Sequence, residues 1–230
     1  VLALVGPMVW LISMLLADGP LLRRLLRALA RFAFRLAGLR LQLLGGERLP
    51  QPPFILVANH ASYLDGPVCV ATLPCPLAFV AKVELARHPL IGPLLRRIQT
   101  IFVERWQRGE PTIDLEAVRR VLDSGRMLLV FPEGTFTRQA GLLPFQLGGF
   151  QIAADLGLPI VPVAIRGTRS VLRANQWFPF QNDIEVEILQ PFWPTGNDFP
   201  AVRRLRDQVR SALLEAVREP DLEREVAIPV

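Results

Sequence analysis

The feature that most narrows the folds open to this chain is an alternation of short apolar runs with longer stretches of helical period. The runs cover residues 54–58, 77–81, 100–103, 127–131, 160–165 and 184–189 and are rich in Val, Ile, Leu and Phe, which predicts strands. Between them, apolar side chains at three- and four-residue spacing predict helices over 63–73, 84–97, 112–124 and 145–157, with a last helix over 199–218. Parallel neighbours in a sheet need crossover connections, and helices supply them, so the pattern predicts an α/β domain with a mostly parallel sheet flanked by helices. There is no internal repeat and no low-complexity tract.

Composition excludes several classes. With 51% hydrophobic and 20% charged side chains in 230 residues, a full core is available and neither disorder nor a coiled coil is expected. Two cysteines, Cys69 and Cys75, and two histidines are too few for a disulfide framework or a four-thiolate zinc site, so no structural metal is expected. The net charge of +5 is placed at one end: residues 1–44 hold Arg23, Arg24, Arg27, Arg31, Arg35 and Arg40 against Asp18 alone. The other 186 residues are neutral, so the high isoelectric point does not describe a nucleic-acid-binding surface and no nucleic acid partner is expected.

The basic end points to a membrane. Residues 1–17 carry no charge, a length at the lower limit for crossing about 30 Å of hydrocarbon, with Gly6-Pro7 expected to kink the run. Either spanning or dipping into the bilayer fits. The arginines follow the apolar run instead of preceding it, which disfavours a secretory signal peptide. Residues 21–44 place Arg23, Arg27, Arg31 and Arg35 on one side of a predicted helix, with Leu and Phe elsewhere. Such a helix would lie at the interface with its guanidinium groups against an anionic membrane surface, on the cytoplasmic face. The alternative is a core-packed helix with a solvated arginine stripe. The expected organisation is a membrane-associated helical segment over 1–44 and a catalytic domain over 45–230, and the non-Met start would suit a module of a larger polypeptide.

Two constellations could carry chemistry. The strand FILVA runs into Asn59-His60, with Asp65 five residues later. A histidine at the carboxyl end of a strand sits where open α/β sheets place their sites, and a carboxylate on one ring nitrogen would fix the tautomer and leave the other nitrogen as a general base. The competing reading is a helix-start cluster in which Asn59, Ser62 or Asp65 caps backbone amides. The second constellation, Phe131-Pro132-Glu133-Gly134-Thr135, at the end of a strand, would face the same crevice if the two strands are neighbours; taken alone it reads as an ordinary strand-to-helix turn. Arg105, just after the strand over 100–103, is a candidate phosphate fork, or equally a surface arginine paired with Glu104 or a neighbouring acid. His88, between Arg87 and Pro89, is read as structural.

In this order the blocks resemble those of the glycerophospholipid acyltransferase family, of the 1-acylglycerol-3-phosphate acyltransferase type. The resemblance rests on NHASYLD (59–65), KVELARHPLIG (82–92) with IFVER (101–105), FPEGTFTR (131–138) and IVPVAIRG (160–167), and covers roughly residues 45–195. It implies that His60 is the general base and Asp65 its orienting partner, that Asn59, Arg105, Glu133, Gly134 and Thr135 hold the acceptor, and that acyl-CoA or acyl-carrier protein donates the acyl group with no acyl-enzyme. Ser62 is then no nucleophile, and Cys69 and Cys75 read as small core residues.

Two positions depart from that pattern. Gln146 stands where a lysine is common and Phe136 where an arginine is common. The missing cations leave room for an acceptor other than lysophosphatidate, such as lysophosphatidylethanolamine. A thioester hydrolase and a non-catalytic lipid-binding module are the rival readings.

Overall fold

The computed structural model describes residues 2–103, 114–137, 139–171 and 183–223, with side chains from Pro7 onward. Its strands are β1 (Leu41–Leu44), β2 (Ile55–Ala58), β3 (Leu77–Lys82), β4 (Ile101–Val103), β5 (Met127–Val130), β6 (Ile160–Arg166) and β7 (Ile184–Ile188). They form one seven-stranded sheet in the order β1-β7-β6-β2-β5-β3-β4. β6, β2, β5, β3 and β4 are parallel, β7 is antiparallel to β6, and β1 is parallel to β7. The predicted α/β class is therefore observed, and all six predicted runs are strands.

The helices are α1 (Leu2–Leu15), α2 (Pro20–Leu36), α3 (Asp65–Thr72), α4 (Val83–Ala86), α5 (Ile91–Arg97), α6 (Leu115–Asp123), α7 (Gly148–Leu156), α8 (Thr168–Val171) and α9 (Phe199–Val217). Two apolar clusters cover the two faces of the sheet. Leu56 and Ala58 of β2 and Val161, Val163 and Ile165 of β6 join Phe34 of α2 and Val68 and Cys69 of α3 on one face. Ile55, Val57, Ile160 and Ala164 join Val118 of α6, Phe150 of α7 and Val209 and Leu213 of α9 on the other. Every side chain of β2 is buried, as expected for a central strand covered on both faces.

Two expected elements differ. The helix expected over 84–97 is broken at His88-Pro89 into α4 and α5, because proline lacks an N–H and drives the residue before it out of helical geometry. His88 is structural, as its lack of a partner pattern suggested: its Nδ1 faces the Leu90 and Ile91 amides at 3.3 Å, at the start of α5. The helix expected over 21–44 ends at Leu36, and Leu41–Leu44 form β1, hydrogen-bonded to β7. The sheet thus begins four residues before the boundary drawn at 44/45.

The N-terminal helices are fastened to the domain. No helix among the described residues is long and apolar enough to cross a membrane. Trp10 Nε1 donates to the Leu90 carbonyl at 2.9 Å, and Arg97 donates to the Ser13 and Leu16 carbonyls at 2.9 and 2.6 Å. Asp18 accepts from Gln99 at 2.8 Å and pairs with the buried Arg126.

The arginine row of α2 divides: Arg23, Arg27 and Arg31 reach backbone carbonyls of the domain, while Arg35 stays exposed as the expected basic stripe requires. Arg27 donates to the Leu73 carbonyl and, at 3.1 Å, to that of Cys75; Arg31 donates to the Ala71 carbonyl at 2.7 Å; Arg23 reaches the Ser124 carbonyl at 3.4 Å. The carbonyls that end α3 lack helical partners and carry the negative end of its dipole, and guanidinium forks satisfy them. Leu21, Phe32 and Leu36 of α2 are left exposed, as are Met8, Leu11 and Leu15 of α1. Each trio falls within about 60° of its helix circumference. Both helices therefore present an apolar stripe outward.

Candidate active site

β2 and β5 are adjacent and parallel, with Ile55, Leu56 and Val57 opposite Leu128, Leu129 and Val130. The turns that leave their carboxyl ends must emerge side by side, and they carry His60 and Asp65 on one and Glu133 on the other. The condition set for a shared crevice is met.

Asp65 begins α3 and is fully buried. Its Oδ2 lies 2.8 Å from His60 Nδ1 and accepts the amide hydrogens of Ala61 at 2.7 Å and Ser62 at 2.8 Å. The chain after the strand wraps around this one oxygen, so the same carboxylate makes the contacts that both the imidazole-orienting and the helix-start readings require. In the neutral ring, a hydrogen on Nδ1 pointing at Oδ2 selects the tautomer whose free lone pair is on Nε2. No described residue hydrogen-bonds Nε2. The ring stacks on Phe131, with centroids 4.4 Å apart and planes at 23°, and meets the edge of Phe136 at 4.6 Å. It keeps 20% of its side-chain surface open.

Glu133 faces inward. Its Oε1 accepts the His60 N–H at 2.6 Å and its Oε2 accepts the Leu143 N–H at 2.9 Å, so a single carboxylate ties the backbone of the histidine turn to that of the segment before α7. Burial raises its pKa to about 7, against the lowering effect of those two amide donors. Gly134 follows at φ 65°, the left-handed region, where an added Cβ would meet nothing within 4 Å; conformation, not space, selects glycine there. Thr135 is exposed beside it.

Asn59 is also committed to backbone. Its Nδ2 donates to the Ile165 carbonyl at 2.9 Å and its Oδ1 accepts the Ile165 N–H at 2.7 Å, which clips the end of β2 to β6. Of the residues that the resemblance assigns to the acceptor, Asn59 and Glu133 thus hold the framework, Gly134 and Thr135 lie at the turn, and Arg105 lies outside the described residues. Gln146 is exposed, and its backbone N–H donates to the Pro132 carbonyl at 2.9 Å.

Cys69 and Cys75 take no part. Both thiols are pushed up by burial, Cys75 to about 11, and Cys69 is fully buried in the core. Aromatic side chains whose place beside the imidazole was not read from the sequence surround the site instead. Phe131 and Phe136 flank the imidazole, and Tyr63 meets Phe136 edge-on at 4.7 Å. Phe131 stood in plain view as the last residue of the run predicted over 127–131. Arg169 had no such signal: it forks onto Glu219 at 3.0 and 3.1 Å and donates to the Thr137 and Gln139 carbonyls at 2.9 Å, fixing the chain that follows Phe136.

A buried carboxylate hydrogen-bonded to a largely buried imidazole, at the carboxyl ends of parallel strands, is an arrangement able to carry general-base chemistry on an α/β domain. Comparison with known proteins gives the family. Residues 40–166, more than half of the chain, match the model of the Acyltransferase family, and the chain belongs to that family. It is 29% identical over 185 residues to the 1-acyl-sn-glycerol-3-phosphate acyltransferase of Saccharomyces cerevisiae, a match that covers 79% of this chain and 61% of the yeast protein. It is 29% identical over 199 residues to 1-acyl-sn-glycerol-3-phosphate acyltransferase alpha of Mus musculus, covering 85% of this chain and 70% of the mouse protein. Among solved structures it resembles the 1-acyl-sn-glycerophosphate (LPA) acyltransferase PlsC of Thermotoga maritima, with a TM-score of 0.73 and 25% identity, over 93% of this chain and 88% of that one.

Proposed function

We propose that the chain transfers a fatty acyl group from a thioester donor, acyl-CoA or acyl-carrier protein, to the free hydroxyl of a lysophospholipid in phospholipid biosynthesis, with 1-acylglycerol-3-phosphate as the first acceptor to test. The observation that carries this reading is the bond from His60 Nδ1 to Asp65 Oδ2 at 2.8 Å, with Nε2 unclaimed by any described residue. Nε2 takes the proton of the acceptor hydroxyl as its oxygen attacks the thioester carbonyl. The tetrahedral intermediate collapses, the C–S bond breaks, and the imidazolium returns the proton to the leaving thiolate. Asp65 orients the ring and stabilises the imidazolium. No acyl-enzyme forms, consistent with two thiols that burial keeps protonated.

The exposed apolar stripes of α1 and α2 support a seat on the bilayer surface, from which a long-chain lysolipid reaches the crevice without leaving the membrane. Residues 1–44 then act as an interfacial anchor on the cytoplasmic face.

A second acceptor class is favoured by one observation. Phe136 and Tyr63 meet edge-on beside the imidazole, and Gln146 is neutral, so the described part of the mouth offers rings in place of the two cations. Rings attract an ammonium group and give nothing to a phosphomonoester dianion. Thiol release from a long-chain acyl-CoA in mixed micelles, measured without acceptor, with lysophosphatidate and with lysophosphatidylethanolamine, separates the readings. Acceptor-dependent release supports the transferase and its preferred lysolipid names the class; equal release without acceptor identifies a hydrolase and overturns the proposal.

A further inference from the structure

A second cavity, of about 530 Å³, lies between α2, the end of α3 and the edge strand β1. That is within the roughly 300–1,000 Å³ typical of small-molecule sites. Its walls carry Arg31, Arg35 and Arg40, and none of its nine lining residues is acidic. Arg31 has spent its Nε on the Ala71 carbonyl. Arg35 and Arg40 are exposed, and neither guanidinium has a hydrogen-bond or ion-pair partner among the described residues.

A folded chain gains nothing internally from this grouping. Arg31 and Arg35 are one helical turn apart, a like-charge pair that weakens a helix. Arg40 adds a third guanidinium at the head of β1. Other described arginines show the contrast: Asp18 stands between Arg23 and Arg126, and Glu185 and Glu187 face Arg166. Here no described residue supplies the counter-charge. The rest of the lining is apolar and includes Phe34, Leu39, Leu41 and Leu43. Phe32 and Leu36, exposed on the same helix, place this rim beside the apolar stripe.

We propose that this cavity binds the phosphate headgroup of an anionic phospholipid drawn from the bilayer, at a site separate from the crevice of His60. Planar guanidinium forks match phosphate oxygens, and the apolar lining takes the glycerol and the first carbons of the chains. A membrane lipid, rather than free phosphate, is favoured by that lining and by the exposed apolar side chains at the rim.

Titration calorimetry of the full chain with dioctanoylphosphatidylglycerol below its micelle concentration tests this, alongside dioctanoylphosphatidylcholine and inorganic phosphate. The variants are Arg35→Gln/Arg40→Gln and, as a control of equal charge, Arg203→Gln/Arg204→Gln on the exposed side of α9. All four arginines are exposed, so both variants keep the fold, checked by circular dichroism. The expected result is saturable binding of phosphatidylglycerol, weakened about tenfold in the first variant and unchanged in the second, with weak binding of the choline lipid. Equal weakening in both variants would reduce the effect to diffuse charge, and no weakening in the first would place the lipid elsewhere; either overturns the proposal. Inorganic phosphate binding as tightly as the lipid overturns the bilayer source.

Discussion

The turn after β2 and the inner face of α2 both satisfy a charged or chargeable side chain with backbone partners, but over different distances along the chain. Around Asp65 the partners lie three, four and five residues away, at Ser62, Ala61 and His60. Around Arg27 and Arg31 they lie 40 to 48 residues away, at Ala71, Leu73 and Cys75. A short loop can close only a few ways, so its polar groups find one another whatever the rest of the fold does. A helix face finds its partners only once the domain has formed.

That difference yields predictions on each side of it. The largest effect is expected at the short-range site. His60→Ala should lower kcat by about a hundredfold to ten-thousandfold with the fold intact, measured by acceptor-dependent thiol release and thermal melting. Asp65→Asn should cost about a hundredfold or more, because an amide cannot accept three hydrogen bonds on one oxygen and stabilise an imidazolium as well. A variant within threefold of wild type would show that the contact is only a helix cap.

Glu133 joins the two regimes, since it ties His60 to a backbone amide ten residues beyond itself. Glu133→Gln turns an amide N–H toward a backbone N–H and should lower kcat about tenfold to a hundredfold with KM little changed. A rise in KM alone would return Glu133 to acceptor binding. The same carboxyl gives a stability test. Its folded pKa of about 7 exceeds the ordinary 4.5, so between those values the folded state holds more protons than the unfolded state. Stability then falls as pH rises through that window. The melting temperature of wild type relative to Glu133→Gln should decline from pH 4.5 to 7 and level off above it; a flat difference contradicts the buried, raised carboxyl.

The smallest effects belong to α2. Arg27→Met should destabilise by about 1–3 kcal/mol through two orphaned carbonyls, whereas Arg24→Gln, exposed and without a partner among the described residues, should stay within about 0.5 kcal/mol. Equal melting temperatures for the two would mean that the inward row carries no weight.

The same contrast decides what was legible in the sequence. The strands could be read because β2, β5 and β6 are continuous buried runs, and the pairing of His60 with Asp65 because both lie in one turn. The direction of the arginine row was not legible: periodicity places Arg23, Arg27 and Arg31 on one side of a helix but is blind to the carbonyls at the end of α3. β1 was hidden for a similar reason, since LQLL reads as the tail of a leucine-rich helix until its pairing with β7 is known. Asn59 and Glu133 sat in recognisable blocks, yet their partners, Ile165 and Leu143, belong to other segments. Their framework roles emerge only from the fold.

The most direct test of the account is acyl transfer from labelled long-chain acyl-CoA to lysophosphatidate and to lysophosphatidylethanolamine in micelles, with wild type and His60→Ala side by side. The account predicts labelled diacyl product from at least one lysolipid with wild type, and its loss in the variant. Product formed equally by His60→Ala would contradict the assignment of His60 as the base.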